Sequence, residues 1–330
     1  MKTCLIKSRE ESNYHRCGRT DKGVSSFSQV ISIDLRSKLN EDNKNNLNDE
    51  LNYCQTLNRV LPENIQCVGW MPVEEGFSAR FDCKHRVYKY FFPKGSLNIQ
   101  KMNEACEYLL GPHDFRNLCK MDVANGVTEF IRSIEHIHVQ PFEKNRDNES
   151  KCSQETEYSM YVFTVQSKGF LWHQIRCIMG VLFLIGEEKE SPEVIKELLD
   201  VQKNTRKPDY NMACETPLNL FHCEYDHENQ WHYDLTALQA VIKVLQGQWT
   251  VANVKSTMMK AMLFELGDIQ SQLESNNVEH ANKFANVLNQ DNKTKRYVPL
   301  MNRPKCDSLE VKVEHYLKRR KLEIKTDNNK

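Results

Sequence analysis

The chain has 330 residues, enough to bury a core in one large or two ordinary domains, and 45 basic residues exactly balance 45 acidic ones. That balance removes any global attraction for nucleic acid, so such binding would need local basic patches. A mean hydropathy of -0.66 and no apolar run near ~20 residues exclude a membrane-spanning helix. The opening MKTCLIKSREES is too charged for a secretory signal. Twelve cysteines are scattered, the closest pair, Cys214 and Cys223, lying nine apart; without a C-x-x-C there is no zinc-ligand spacing. Scattered single cysteines fit a reducing compartment.

Residues 13–35, NYHRCGRTDKGVSSFSQVISIDL, set Gly18, Arg19, Thr20, Asp21, Lys22 and Gly23 just ahead of an apolar stretch. A carboxylate between two cations, framed by glycines, is either a polar turn or a place where a large ligand meets the main chain. A phosphate-cradling P-loop fails on spacing, because Lys22 precedes Gly23 instead of following it. Alternation in FSQVISIDL predicts a half-buried strand with Ile31, Ile33 and Leu35 on its inner face. ELNYCQTLNRVLP (50–62) predicts a helix that Pro62 ends, and IQCVGWMPV and HRVYKYFFP predict strands. A helix at 98–110, strands near 127–139 and 158–167, and a polar loop at 143–157 follow. FLWHQIRCIMGVLFLIG (170–186) predicts a strongly apolar helix, trailed by a shorter helix near 191–201 and a strand at 218–226. From 234 onward helices alternate with polar spacers and end in LEVKVEHYLKRRK, whose basic Lys318–Lys321 end is either a solvated helix end or a charge presented for RNA contact or nuclear import. Strands with hairpin-like spacing dominate, which gives an α+β fold with a largely antiparallel sheet.

Two further stretches carry charges that need explaining. Arg176 sits among Ile175, Ile178, Met179, Leu182, Phe183 and Ile185 in the apolar helix. A guanidinium is almost never fully buried unpaired, so either it snorkels at the helix edge or a carboxylate reaches it from elsewhere. Asp21 is the candidate, and Gly180, one turn on, leaves room for a close approach. In FSARFDCKHRVYKYFF (77–92), Arg80, Lys84, His85, Arg86 and Lys89 interleave with Phe77, Phe81, Tyr88 and Tyr90. Such a stretch is either an ordinary strand with a basic face or a surface that neutralises phosphates and offers rings to unstacked bases.

Together these stretches resemble the TruA family of tRNA pseudouridine synthases. GRTDKGV is similar to the family's G-R-T-D-x-G-V motif, FSARF with R-x-Y-x-Y to its second motif, and FLWHQIR to its third, in the family's order over residues 13–226. HDFRNLCKMDVANGV and RYVPLMNRPKCDSLE resemble one eukaryotic branch, which acts on uridines at positions 38 and 39 of the tRNA anticodon stem-loop. The resemblance implies a pseudouridine synthase fold of two halves sharing a largely antiparallel sheet flanked by helices. Residues 1–95 would form the N-terminal half, 96–228 the C-terminal half, and 229–330 a branch-specific extension with a basic tail.

It also implies that Asp21 is the nucleophile and Arg176 its ion-pair partner. Arg19 would fill the space of the flipped uridine, Tyr88 would stack on the target base, and Phe77, Arg80 and Phe81 would lie along the RNA. No metal or organic cofactor is expected, because moving a glycosidic bond from N1 to C5 needs neither redox chemistry nor net hydrolysis. What it needs is a carboxylate nucleophile kept ionised by an adjacent guanidinium. The partner is tRNA, with no membrane and with a homodimer among the allowed states, in the nucleus, the cytoplasm or both. Family members open with a further strand and helix before the catalytic loop, whereas here the loop follows Met1 by about a dozen residues. The expectation is therefore a truncated first half with an exposed sheet edge. That keeps an alternative open, a catalytically impaired RNA-binding protein on the same fold.

Overall fold

A computed structural model describes residues 8, 10–40, 46–142, 155–226, 231–274, 286–289 and 296–327. Through residue 93 the elements are β1 (His15–Arg16), β2 (Ser25–Ser26), β3 (Ile31–Ser32), α1 (Tyr53–Asn58), β4 (Gly69–Trp70) and β5 (His85–Pro93). Then come α2 (Ile99–Glu107), β6 (Gly111–Asp114), β7 (Ile131–Pro141), β8 (Met160–Ser167), α3 (Gln174–Gly186) and α4 (Val194–Leu199). The last four are β9 (Leu218–Glu224), β10 (His232–Tyr233), α5 (Leu235–Glu274) and α6 (Leu309–Asp327). Helices and a mixed sheet make an α+β fold. The chain divides into a first unit of Met1–Arg16, Ile31–Asp82 and Asp226–Asn282, and a second of Cys17–Val30, Cys83–Tyr225 and Lys283–Lys330.

The second unit is built on a six-stranded sheet in the order β2-β9-β5-β8-β7-β6. All pairings are antiparallel except the parallel edge β2–β9, where Ser25 meets Asn219 and Ser26 meets Leu220. Along β5 the burial alternates with period two, so that Arg86, Tyr88, Tyr90 and Phe92 share the inner face. Every residue of α3 is buried. Phe183 in its middle lies edge-on to Tyr90 and Phe92, with ring centroids 5.9 and 5.5 Å away. Asn98 caps α2 by accepting from the Lys101 amide, and its own amide donates to the Gly186 carbonyl at the end of α3.

In the first unit, Asn52 caps α1 by accepting from the Gln55 amide, while its side-chain amide donates to Asp234 at 2.8 Å. Asp234 in turn accepts from the Ala237 amide and so caps α5. Strands β4 and β10 pair, and Trp70 stacks on His232 with centroids 5.0 Å apart.

The strand expected over 27–35 does not form as such. Within it only β3 forms, paired with β1; Ile31 is exposed, and it is Ser32 that turns inward, its hydroxyl accepting from the Ala79 amide at 3.0 Å. That bond requires Ser32 to be buried and so reverses the apolar alternation. Strand β6, GPHD, carries turn residues that gave no strand signal; it forms because a sheet edge tolerates proline.

The approach foreseen at Gly180 is made by backbone. A Cβ there would stand 2.6 Å from the Asn211 carbonyl oxygen. Gly180→Ala gains roughly 1 kcal/mol of helix preference, but the clash should cost about 1–3 kcal/mol. We expect a lower melting temperature than the parent's in thermal unfolding. Melting at or above the parent's would show that the 211–213 segment yields freely.

Candidate active site

The loop that carries Asp21 hangs from the second unit's sheet. The Phe27 amide reaches both the Leu220 carbonyl and the Asn219 side chain at 3.0 Å, and Gln29 exchanges two hydrogen bonds with the Gly18 backbone. The Cys17 amide donates to the Val30 carbonyl at 2.8 Å, which closes the base of the loop. Gly23 has φ +88°, a conformation that side chains resist, and the Val24 amide turns back onto the Asp21 carbonyl. The glycine after the carboxylate is thus required by the turn.

Arg176 is 5% exposed, and three acceptors meet its guanidinium. Nε donates to the Ala213 carbonyl at 2.9 Å, Nη2 to Glu215 at 2.7 Å, and Nη1 lies 3.6 Å from Asp21 Oδ2. The nearer carboxylate is Glu215, not Asp21. Glu215 comes from the ACETP segment before β9, and its position showed nothing in the sequence to mark it.

His173 is the second residue the sequence reading missed. Its Nε2 stands 3.1 Å from the same Asp21 oxygen. It precedes α3 with φ +58°, a strained conformation for a residue with a side chain, and such strain concentrates at functional positions. Burial holds its pKa below the usual histidine range, against the pull of the Asp21 charge. The neutral ring then donates from Nε2 to Asp21, while buried Nδ1 has no hydrogen-bond partner. The available signal was its place inside FLWHQIR, one helical turn before Arg176.

Tyr88 is 9% exposed on the inner face of β5, at a bulge where the pairing with β9 shifts register. Its ring stands edge-on to Phe170 at 5.3 Å. Burial raises its pKa, which keeps the hydroxyl protonated. Arg19 is exposed on the loop. Phe77, Arg80 and Phe81 belong to the first unit: Phe77 is half-buried, and the exposed Arg80 guanidinium lies over the exposed Phe81 ring at 5.1 Å.

The basic stretch needs one correction. Arg86 is buried and does not face solvent phosphates; Nε and Nη2 donate to the Cys17 carbonyl at 3.3 and 3.1 Å, and Nη1 to the Lys168 carbonyl. It grips the base of the Asp21 loop. Lys89 lies over the Phe221 ring at 3.7 Å, and His85 pairs with Glu135.

A half-exposed carboxylate held by a buried guanidinium and a neutral imidazole, beside a buried tyrosine, suits nucleophilic or general-base work on a bound ligand. The chain also resembles known proteins. A family model described as tRNA pseudouridine synthase matches residues 105–226, the span that contains His173, Arg176 and Glu215. The chain is 43% identical over 98% of its length to the tRNA pseudouridine(38/39) synthase of Bos taurus, 70% of which is covered. It is equally similar, 43% over 98% of the chain, to the protein of that name in Homo sapiens, again covering 70%. A probable tRNA pseudouridine synthase of Caenorhabditis elegans is 36% identical over 97% of the chain, with 82% covered. With such relatives matched along nearly its whole length, the chain belongs to the tRNA pseudouridine synthase family of TruA type.

Proposed function

We propose that this chain isomerises uridine to pseudouridine in the tRNA anticodon stem-loop, at positions 38 and 39, with Asp21 as nucleophile. The observation that carries the reading is the placement of Asp21, with Arg176 Nη1 at 3.6 Å and His173 Nε2 at 3.1 Å on one oxygen of a side chain 22% exposed. The relatives' names supply the substrate class and positions. In the reaction the N1–C1′ bond breaks, the base turns, and a C5–C1′ bond forms. The C5 proton leaves to solvent and N1 takes one up, so nothing is oxidised or reduced. Asp21 either adds to C1′ or assists departure of the base as a glycal forms. Flipping the uridine out of its stack costs a few kcal/mol. Arg19 would fill the vacated space and Tyr88 would support the base, while Phe77, Arg80 and Phe81 would contact the RNA. An RNA-binding protein without activity is the less favoured reading, since binding alone has no use for a carboxylate where phosphates must come.

Family membership also frames the assembly. Ile242, Leu245, Trp249, Met259, Leu263, Leu266 and Leu273 of α5 are all exposed and fall on one register of alternating three- and four-residue steps, broken by Ala252, Ser256 and Gln270, the pattern of an interrupted coiled-coil seam. We read α5 as the contact of a homodimer, and the protein as nuclear, cytoplasmic or both. Trp249→Glu combined with Leu266→Glu should convert a dimer to a monomer in analytical ultracentrifugation. A parent chain that sediments as a monomer would remove the dimer.

His173 gives a pH test. Its folded pKa lies below the unfolded 6.5, so above 6.5 both states are neutral there and no stability is lost. As pH falls below that value the unfolded chain binds a proton that the folded chain refuses, and stability drops. His173→Gln removes the site, so its melting temperature should fall less than the parent's between about pH 7.5 and about pH 5.5. Parallel declines would mean His173 is not held neutral.

Asp21→Asn tests the proposal itself. The substitution is nearly isosteric, but an amide is a poor nucleophile, and one negative charge facing RNA phosphates disappears. Tritium release from C5-labelled uridine in tRNA should fall to background, with tRNA affinity equal or higher. Turnover near the parent rate would refute Asp21 as the nucleophile.

A further inference from the structure

Cys17, Cys83 and Cys223 are distant in sequence, yet all three are buried and their sulfurs lie within 4.8 Å of one another. Cys17 starts the Asp21 loop, Cys83 lies two residues before β5, and Cys223 is in β9. Thiols are weak donors and weak acceptors, so they gain little from meeting in a buried place. A disulfide would use two and leave the third. A thiophilic divalent cation uses all three.

The geometry and the charge both suit such an ion. Around a tetrahedral zinc with bonds of about 2.3 Å, ligand sulfurs sit ~3.8 Å apart, within reach of small side-chain rotations here. Three thiolates bring three negative charges; a divalent ion cancels two. The third is offset by Arg86, whose buried guanidinium already grips the Cys17 carbonyl at 3.1 Å and acts electrostatically on Cys17 and Cys83. A buried charge without such compensation is costly. The Tyr225 hydroxyl interacts with the Cys17 sulfur, so a polar oxygen is at hand beside the three sulfurs.

We propose that Cys17, Cys83 and Cys223 form a trithiolate site for Zn²⁺ that ties the base of the Asp21 loop to β5 and β9. The ion takes no part in the isomerisation. It replaces three thiol protons with metal–sulfur bonds, and it pins the residue four positions before Asp21 to two central strands. The spacing of the cysteines could not show this, because the three ligands come from three separate segments.

The test uses the purified 330-residue chain, stripped with a chelator and then given Zn²⁺ or Co²⁺ alone. One ion per chain should survive desalting, Zn²⁺ should raise the melting temperature, and Co²⁺ should show a thiolate charge-transfer band of three-thiolate intensity. Cys223→Ser and Cys83→Ser should each weaken retention at least a hundredfold, whereas Cys67→Ser, outside the cluster, should leave it unchanged. If the serine variants fail to fold, the parent's cobalt band decides alone. No bound ion, a band of two thiolates or fewer, or full retention in Cys223→Ser overturns the site.

Discussion

The second unit depends on one buried cation. A guanidinium 5% exposed inside an otherwise apolar helix is tolerable only if its donors are met. Arg176 divides its fork among the Ala213 carbonyl, Glu215 and Asp21. Those three acceptors come from two segments, and meeting them dictates where both must run. The 211–215 segment is drawn against α3 so closely that only glycine fits at position 180. The loop of Asp21 is drawn to the start of the same helix. Removing one partner of such a buried pair typically costs about 3–5 kcal/mol, so the charge shapes the fold as much as it serves the chemistry.

Two carboxylates on one guanidinium need different roles, and their surroundings separate them. Glu215 makes the short contact, 2.7 Å, and works as the structural counter-ion. Asp21 stands farther off, at 3.6 Å, and shares its Oδ2 with the His173 ring. With Glu215 present, Arg176 stays compensated even while Asp21 is engaged in a bond to substrate. A lone Arg–Asp pair would strand a buried cation at that moment. In the proposed reaction this is the use of the second carboxylate.

Much of this was legible in the sequence, and the failures have physical causes. Strand β5 and the body of α3 stood out because strict alternation and an unbroken apolar run each bury one recognisable surface. Arg176 was legible because a charge in an apolar helix is out of place. Asp21 was legible because two glycines framed it. Glu215 and His173 sit in irregular segments, where a polar residue contradicts no pattern and so announces nothing. Ser32 and β6 were misread for a related reason: a single hydrogen bond to Ala79, and an edge position beside β7, outweighed the local pattern. Arg86 looked like a surface cation since alternation tells which face a residue is on, not whether that face is wet.

The loop's own bonding shows which partner must adapt during binding. Gln29 clamps the Gly18 backbone in both directions, Arg86 holds the Cys17 carbonyl, and Phe27 is fixed to β9. Asp21 therefore sits on a loop anchored at both ends, and its carboxylate is already held by Arg176 and His173 before any ligand arrives. Preorganised groups of this kind lower a barrier because no reorganisation is left for the reacting state. A displacement of about 1 Å can cost on the order of a hundredfold in rate, which explains why so many bonds converge on so short a loop. In the proposed reaction the deformation then falls on the RNA: the uridine leaves its stack to reach a carboxylate that does not come to meet it. In that proposal the exposed cation of Arg19, on the same loop, would offset the distortion.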